Sequence, residues 1–85
     1  MAEYSVSIKR SAIKELEGFP AKIIDVLDKK IILLESEPRP AGVKKLTAER
    51  NLYRIRYRSF RIIYEIDDLL KTITILKIKD RKEAY

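Results

Sequence analysis

The chain has 85 residues, 46% of them hydrophobic, enough to build one modest core and too apolar for a disordered tail. It carries 19 Lys and Arg against 13 Asp and Glu, a net charge of +6, and a pI near 9.7. Cysteine and histidine are both absent, which excludes a disulfide framework, a thiolate nucleophile, a Cys-based zinc site and the commonest general base.

Tyr4, Val6 and Ile8 alternate with Ser5 and Ser7 and predict a short strand with one wet face. The opening residues lack the apolar run of a signal peptide or membrane span, so the expected location is cytoplasmic, with no membrane partner. Ser11 is placed to cap a helix that presents Ile13 and Leu16 on its apolar side and stops at Gly18. Pro20 suits the first turn of a second helix, because its fixed φ is helical and its missing N–H would be unpaired there. Along that helix Ile24, Leu27, Ile31 and Leu34 form a stripe, widened by Ile23, Val26 and Leu33, that serves as the lid of a sheet.

Pro38, Pro40 and Gly42 break the chain into a loop. Val43 to Leu46 reads as a short strand, and 47–50 connects it to the segment from Asn51 to Ile66. That segment reads as two strands joined near Arg58 and Ser59. Alternation puts Leu52, Arg54, Arg56 and Arg58 on one face and Tyr53, Ile55 and Tyr57 on the other, with Arg61 of the second strand within reach of the arginines. Asp67 to Leu69 turn the chain again. Thr72 to Lys79 form a last strand whose Ile73, Ile75, Leu76 and Ile78 suggest an interior strand apolar on both faces. The expected architecture is a single domain over 1–85, α+β, with a two-helix hairpin on a small, mainly antiparallel sheet in the order βααββββ.

Between Lys44 and Arg61 stand seven basic residues, Lys44, Lys45, Arg50, Arg54, Arg56, Arg58 and Arg61, against the single acid Glu49. This block holds the whole chain's excess charge. Like charges on neighbouring strands oppose folding, and edge protection is ordinarily achieved with Lys. A row of planar guanidiniums, which grip phosphate through two hydrogen bonds, therefore points to a polyanionic partner.

The sequence resembles the RelE branch of the RelE/ParE toxin superfamily of toxin–antitoxin modules. The resemblance is carried by Ile-Lys-Arg-Ser-Ala-Ile-Lys-Glu-Leu at 8–16, Phe19-Pro20, Lys44-Lys45-Leu46 and Leu52-Tyr53-Arg54-Ile55-Arg56. It continues through Phe60-Arg61-Ile62-Ile63-Tyr64-Glu65-Ile66 and the tail Arg81-Lys82-Glu83-Ala84-Tyr85. Members like this are ribosome-dependent endoribonucleases that cut messenger RNA in the decoding site and are held inactive by an antitoxin wrapped around them. The resemblance implies catalytic roles for Arg54, Arg56, Arg61, Arg81 and Tyr85, with Lys44, Lys45, Arg50, Arg58, Lys79 and Lys82 as RNA-binding residues. It implies no metal and no cofactor, and as partners a cognate antitoxin and a ribosome carrying messenger RNA. Two alternatives stay open, a ParE-like toxin that poisons a gyrase-type topoisomerase and a non-catalytic RNA-binding relative.

Two departures from the family pattern stand out. The hairpin lacks the usual Gly, which predicts a wider or bulged turn. Asp80 stands where many relatives carry His, and Arg54 and Arg56 stand where some carry Lys. A guanidinium keeps its proton, so the general base is left unassigned.

Overall fold

The computed structural model describes residues 3–46 and 51–80. In chain order these form β1 (Ser5–Ile8), α1 (Arg10–Glu17), α2 (Ala21–Leu33), β2 (Lys44–Lys45), β3 (Leu52–Tyr57), β4 (Phe60–Asp67) and β5 (Thr72–Asp80). One sheet contains all five strands in the order β1-β5-β4-β3-β2; β1 runs parallel to β5 and the other pairs are antiparallel. The expected α+β order is the one observed.

Both helices cover one face of the sheet. Ala12, Leu16, Phe19, Leu27, Ile31 and Leu34 meet Tyr53, Ile55, Phe60, Ile62, Tyr64, Ile66, Ile73, Ile75 and Ile78 in a continuous core. Phe19 meets Phe60 edge to face at 4.9 Å, and Tyr53 stacks on Tyr64 at 5.9 Å, arrangements that suit the quadrupoles of the rings. Among the described residues no helix is long and apolar enough to cross a membrane.

Several local expectations are corrected. Ser11 is not the cap: α1 begins at Arg10, with Lys9 in the capping position and no side-chain cap bond. The buried side of α1 is therefore Ala12 and Leu16, continued by Phe19, and Ile13 is 41% exposed. On α2, Leu27 and Ile31 are buried, as is Leu34 just beyond it, whereas Leu33 points away and is 58% exposed. The segment at 43–46 is a strand only at Lys44–Lys45. The connection at 47–50 lies outside the described residues.

The hairpin turn is not wider. Tyr57 pairs with Phe60, so two residues close it, and Arg58 takes the left-handed conformation itself, with φ 55. Such a φ costs an ordinary residue about 1–2 kcal/mol. The irregularity lies elsewhere, between Ile63 and Tyr64: Ile63 pairs with Lys77 and Tyr64 with Ile75, leaving Leu76 as an extra residue in β5. This bulge switches the parity of β5, so Ile73, Ile75 and Ile78 all face the one core. β5 is interior, between β1 and β4, but its apolar pattern reflects the bulge and not burial on two faces.

The loop after α2 is fastened to the sheet by polar contacts. Tyr64 donates its hydroxyl to the Pro38 carbonyl at 2.8 Å, and Arg39 Nε donates to the Tyr53 hydroxyl at 3.0 Å. The Arg39 guanidinium also binds both oxygens of Asp68, at 3.3 and 2.8 Å, while the Tyr4 hydroxyl donates to Asp68 Oδ1 at 2.7 Å. Hydrogen bonds from Arg39 and then Tyr4 hold the Asp68 carboxyl below the usual carboxylate range. Burial pushes the Tyr64 phenol up.

Candidate functional site

The helices leave the other face of the sheet uncovered, and strand alternation puts the arginines there. Arg54 and Arg56 point away from buried Tyr53 and Ile55. The register then builds two cross-strand rows. Arg56 stands opposite Arg61, which stands opposite Lys79; Lys44 stands opposite Arg54, then Ile63, then Lys77. Side chains directly opposite one another have Cβ atoms about 4.5–5.5 Å apart, so the Arg56, Arg61 and Lys79 cations share one strip of surface.

Among the described residues no carboxylate pairs with Arg54, Arg56 or Arg61. Arg54 and Arg61 are half-buried and Arg56 is exposed. Arg54, Arg56 and Arg61 align as the hairpin pattern leads one to expect, whereas Arg58, expected on the same face, lies beyond the end of β3 in the turn. A single-stranded polyanion laid across β3, β4 and β5 would meet a cation on each strand, which are about 4.8 Å apart.

The remaining sequence candidates divide. Lys44 shares the open face through its pairing with Arg54. Lys45 pairs with Tyr53 and sits over its ring at 5.9 Å, on the covered side. Arg58 lies in the turn with its guanidinium over the Tyr57 ring at 5.4 Å. Lys79 is on the open-face row but bonded to Glu15 of α1. Arg50, Arg81, Lys82 and Tyr85 lie outside the described residues.

Two residues were missed. Lys77 is exposed and shares the face of Lys79, but strict alternation from Ile73 and Ile75 would turn both toward the core, and only the bulge at Leu76 brings them to the open side. Glu15 is different: one of its oxygens accepts the N–H of Ile78 at 3.1 Å and the other pairs with Lys79. Its partners lie 63 and 64 positions along the chain, and no local signal announces them. Lys9, Ser11, Glu15, Leu76, Lys77 and Lys79 surround a shallow basin of about 440 Å³ at this edge.

The family model described as the ParE toxin of the type II toxin–antitoxin system, parDE, matches residues 6–85. The chain belongs to the RelE/ParE family of type II toxins. A relative named as the toxin RelE1 of Methanocaldococcus jannaschii is 30% identical, with 98% of this chain and 96% of that protein covered. Among solved structures, this toxin is similar to the archaeal RelE–RelB complex from Pyrococcus horikoshii, at 34% identity and TM-score 0.84, with 93% of this chain and 96% of that chain covered. It is also similar to the RelBE2 toxin–antitoxin complex of Mycobacterium tuberculosis, at 27% identity and TM-score 0.80, covering 93% and 99%. RelE toxins thus supply the structural relatives of this RelE-like toxin, and they share its two helices on a five-stranded, mostly antiparallel sheet.

Proposed function

We propose that this RelE-like toxin is a ribosome-dependent endoribonuclease that cleaves messenger RNA in the A site and so inhibits translation. The observation that carries this reading is the Arg56–Arg61–Lys79 row on the uncovered sheet face, extended by Arg54. In the proposed reaction the 2′-hydroxyl loses its proton and attacks the adjacent phosphorus. A P–O2′ bond forms and the P–O5′ bond breaks, and the departing O5′ takes up a proton, leaving a 2′,3′-cyclic phosphate and a 5′-hydroxyl. Arg56 and Arg61 stabilise the charge on the phosphorane through preorganised donors, and Arg54 holds the neighbouring phosphate. Arg81 and Tyr85 complete the site from the tail, where Tyr85 stacks on a base or moves a proton. The chemistry asks for no metal and no cofactor.

A cognate antitoxin is the proposed inhibitor, in keeping with the RelB chains that accompany the similar RelE chains. The fitting segment is acidic or amphipathic: it covers the cationic face and buries apolar surface such as Ile32 and Leu33, which are 61% and 58% exposed. The proposed setting is the cytoplasm, where ribosomes translate. A second reading, poisoning of a gyrase-type topoisomerase, is favoured by the ParE description of the matching family model.

One experiment separates them: induce the protein in cells and map messenger 5′ ends on ribosomes. Codon-phased cuts are expected. DNA breaks without such cuts would replace this reading with the topoisomerase one, and neither outcome would leave an RNA-binding protein without catalysis.

A further inference from the structure

β1 stops pairing with β5 at Ile8 and Ile75, and its last contact is the Lys9 N–H donating to the Ile75 carbonyl. Beyond that point the β1 side of β5 is an open edge, and an unpaired N–H beside a fully buried side chain such as Ile78 would be costly. Glu15 reaches from α1 to fill this gap. Oε1 accepts the Ile78 N–H at 3.1 Å, and Oε2 pairs with the ammonium of the next residue, Lys79. The Glu15 side chain is only 20% exposed, against 49% for that of Lys79, so the carboxylate is the fixed partner and the lysine the one it restrains. Lys79 is in turn the register partner of Arg61.

We infer that Glu15 is a positioning residue of the cationic row: through one carboxylate it closes the open edge of β5 and fixes the Lys79 ammonium beside Arg61. The inference rests on the proposed endoribonuclease reading. The two bonds give Glu15 two separable roles. A Gln side chain keeps an oxygen for the Ile78 N–H and gives up the charge that restrains Lys79, whereas Ala gives up both. Removing the negative charge also leaves the RNA-facing surface more cationic, so a loss of positioning and a gain in attraction act in opposite directions.

The test is single-turnover cleavage of ribosome-bound messenger by the full chain, with Glu15→Gln and Glu15→Ala made in both the Lys79 and the Lys79→Ala backgrounds. In the Lys79 background Glu15→Gln should keep the wild-type melting temperature within a few degrees and bind no more weakly. Its rate at saturation should fall about tenfold, part of the ~10²-fold that an ångström of misplacement costs. In the Lys79→Ala background the same substitution should leave the rate unchanged. Equal rates for wild type and Glu15→Gln would overturn the inference, as would an equal loss in both backgrounds. A wild-type protein that cleaves nothing defeats the endoribonuclease reading by itself, and binding to a single-stranded RNA oligonucleotide then decides about Glu15. A gain in affinity on Glu15→Gln that shrinks when Lys79 is absent upholds the coupling, and an equal gain in both backgrounds refutes it.

Discussion

Arg61 has Arg56 on one flanking strand and Lys79 on the other, and no carboxylate among the described residues neutralises it. Like charges on facing strands oppose one another in the free protein, and an anion bound over the row would relieve that repulsion. Arg61→Ala should therefore leave the melting temperature unchanged or slightly raised while lowering the cleavage rate by ~10²-fold to 10³-fold; a variant as active as wild type would remove Arg61 from the site. Asp68 is the opposite kind of residue, a carboxylate satisfied by Arg39 and Tyr4 and held below its ordinary range. A depressed carboxyl contributes stability that is fully present above its unfolded value of about 3.9 and is lost as pH falls through the lower folded value. Acid unfolding of wild type and Asp68→Asn should consequently show a constant difference above about pH 5 that narrows at lower pH. A difference that instead widened on acidification would mean the carboxylate is not held by its partners.

At the scale of elements, what was legible in the sequence followed the length of the interaction. The two faces of β3 and β4 came directly from alternation, because a strand's side chains have a period of two and every core-facing position is aliphatic or aromatic. The turn was misjudged for lack of glycine. Arg58 accepts φ 55 and lays its guanidinium over Tyr57, a contact of about 0.5–1 kcal/mol that offsets part of the backbone cost. On α1 the small residue Ala12 fills the buried position that the larger Ile13 was expected to take. The faces of β5 were hidden by a single bulged residue, since one insertion inverts every later position. Glu15 and the Arg39–Asp68 clasp were invisible because their partners are distant in sequence. The α2 assignment has a direct check: Leu27→Ala should cost 2–5 kcal/mol, the usual range for a buried leucine of about this kind, and Leu33→Ala no more than about 0.5 kcal/mol. Comparable losses in urea unfolding would mean that α2 packs on a different face.

For the whole molecule, charge and composition set the conditions under which the proposed chemistry operates. The excess of six positive charges lies between Lys44 and Arg61, so affinity for single-stranded RNA should fall steeply with salt. Replacing one phosphate-contacting cation, such as Arg54→Ala, should flatten the slope of log K against log salt by about 0.7. The absence of histidine removes the one side chain that ordinarily titrates near 6.5. If the Tyr85 phenol takes the 2′ proton with a tyrosine's ordinary acidity, single-turnover cleavage should rise about tenfold per pH unit from pH 6 to at least 8.5. A rate already flat at pH 7 would exclude that base. The central claim, that the aligned cations of the open sheet face cut RNA on the ribosome, is tested most directly by purified protein added to ribosomes holding a defined messenger in the A site. Wild type should cut that messenger at the A-site codon and leave a 2′,3′-cyclic phosphate, with Arg56→Ala and Arg61→Ala slower by orders of magnitude; an intact messenger under saturating wild-type protein would contradict it.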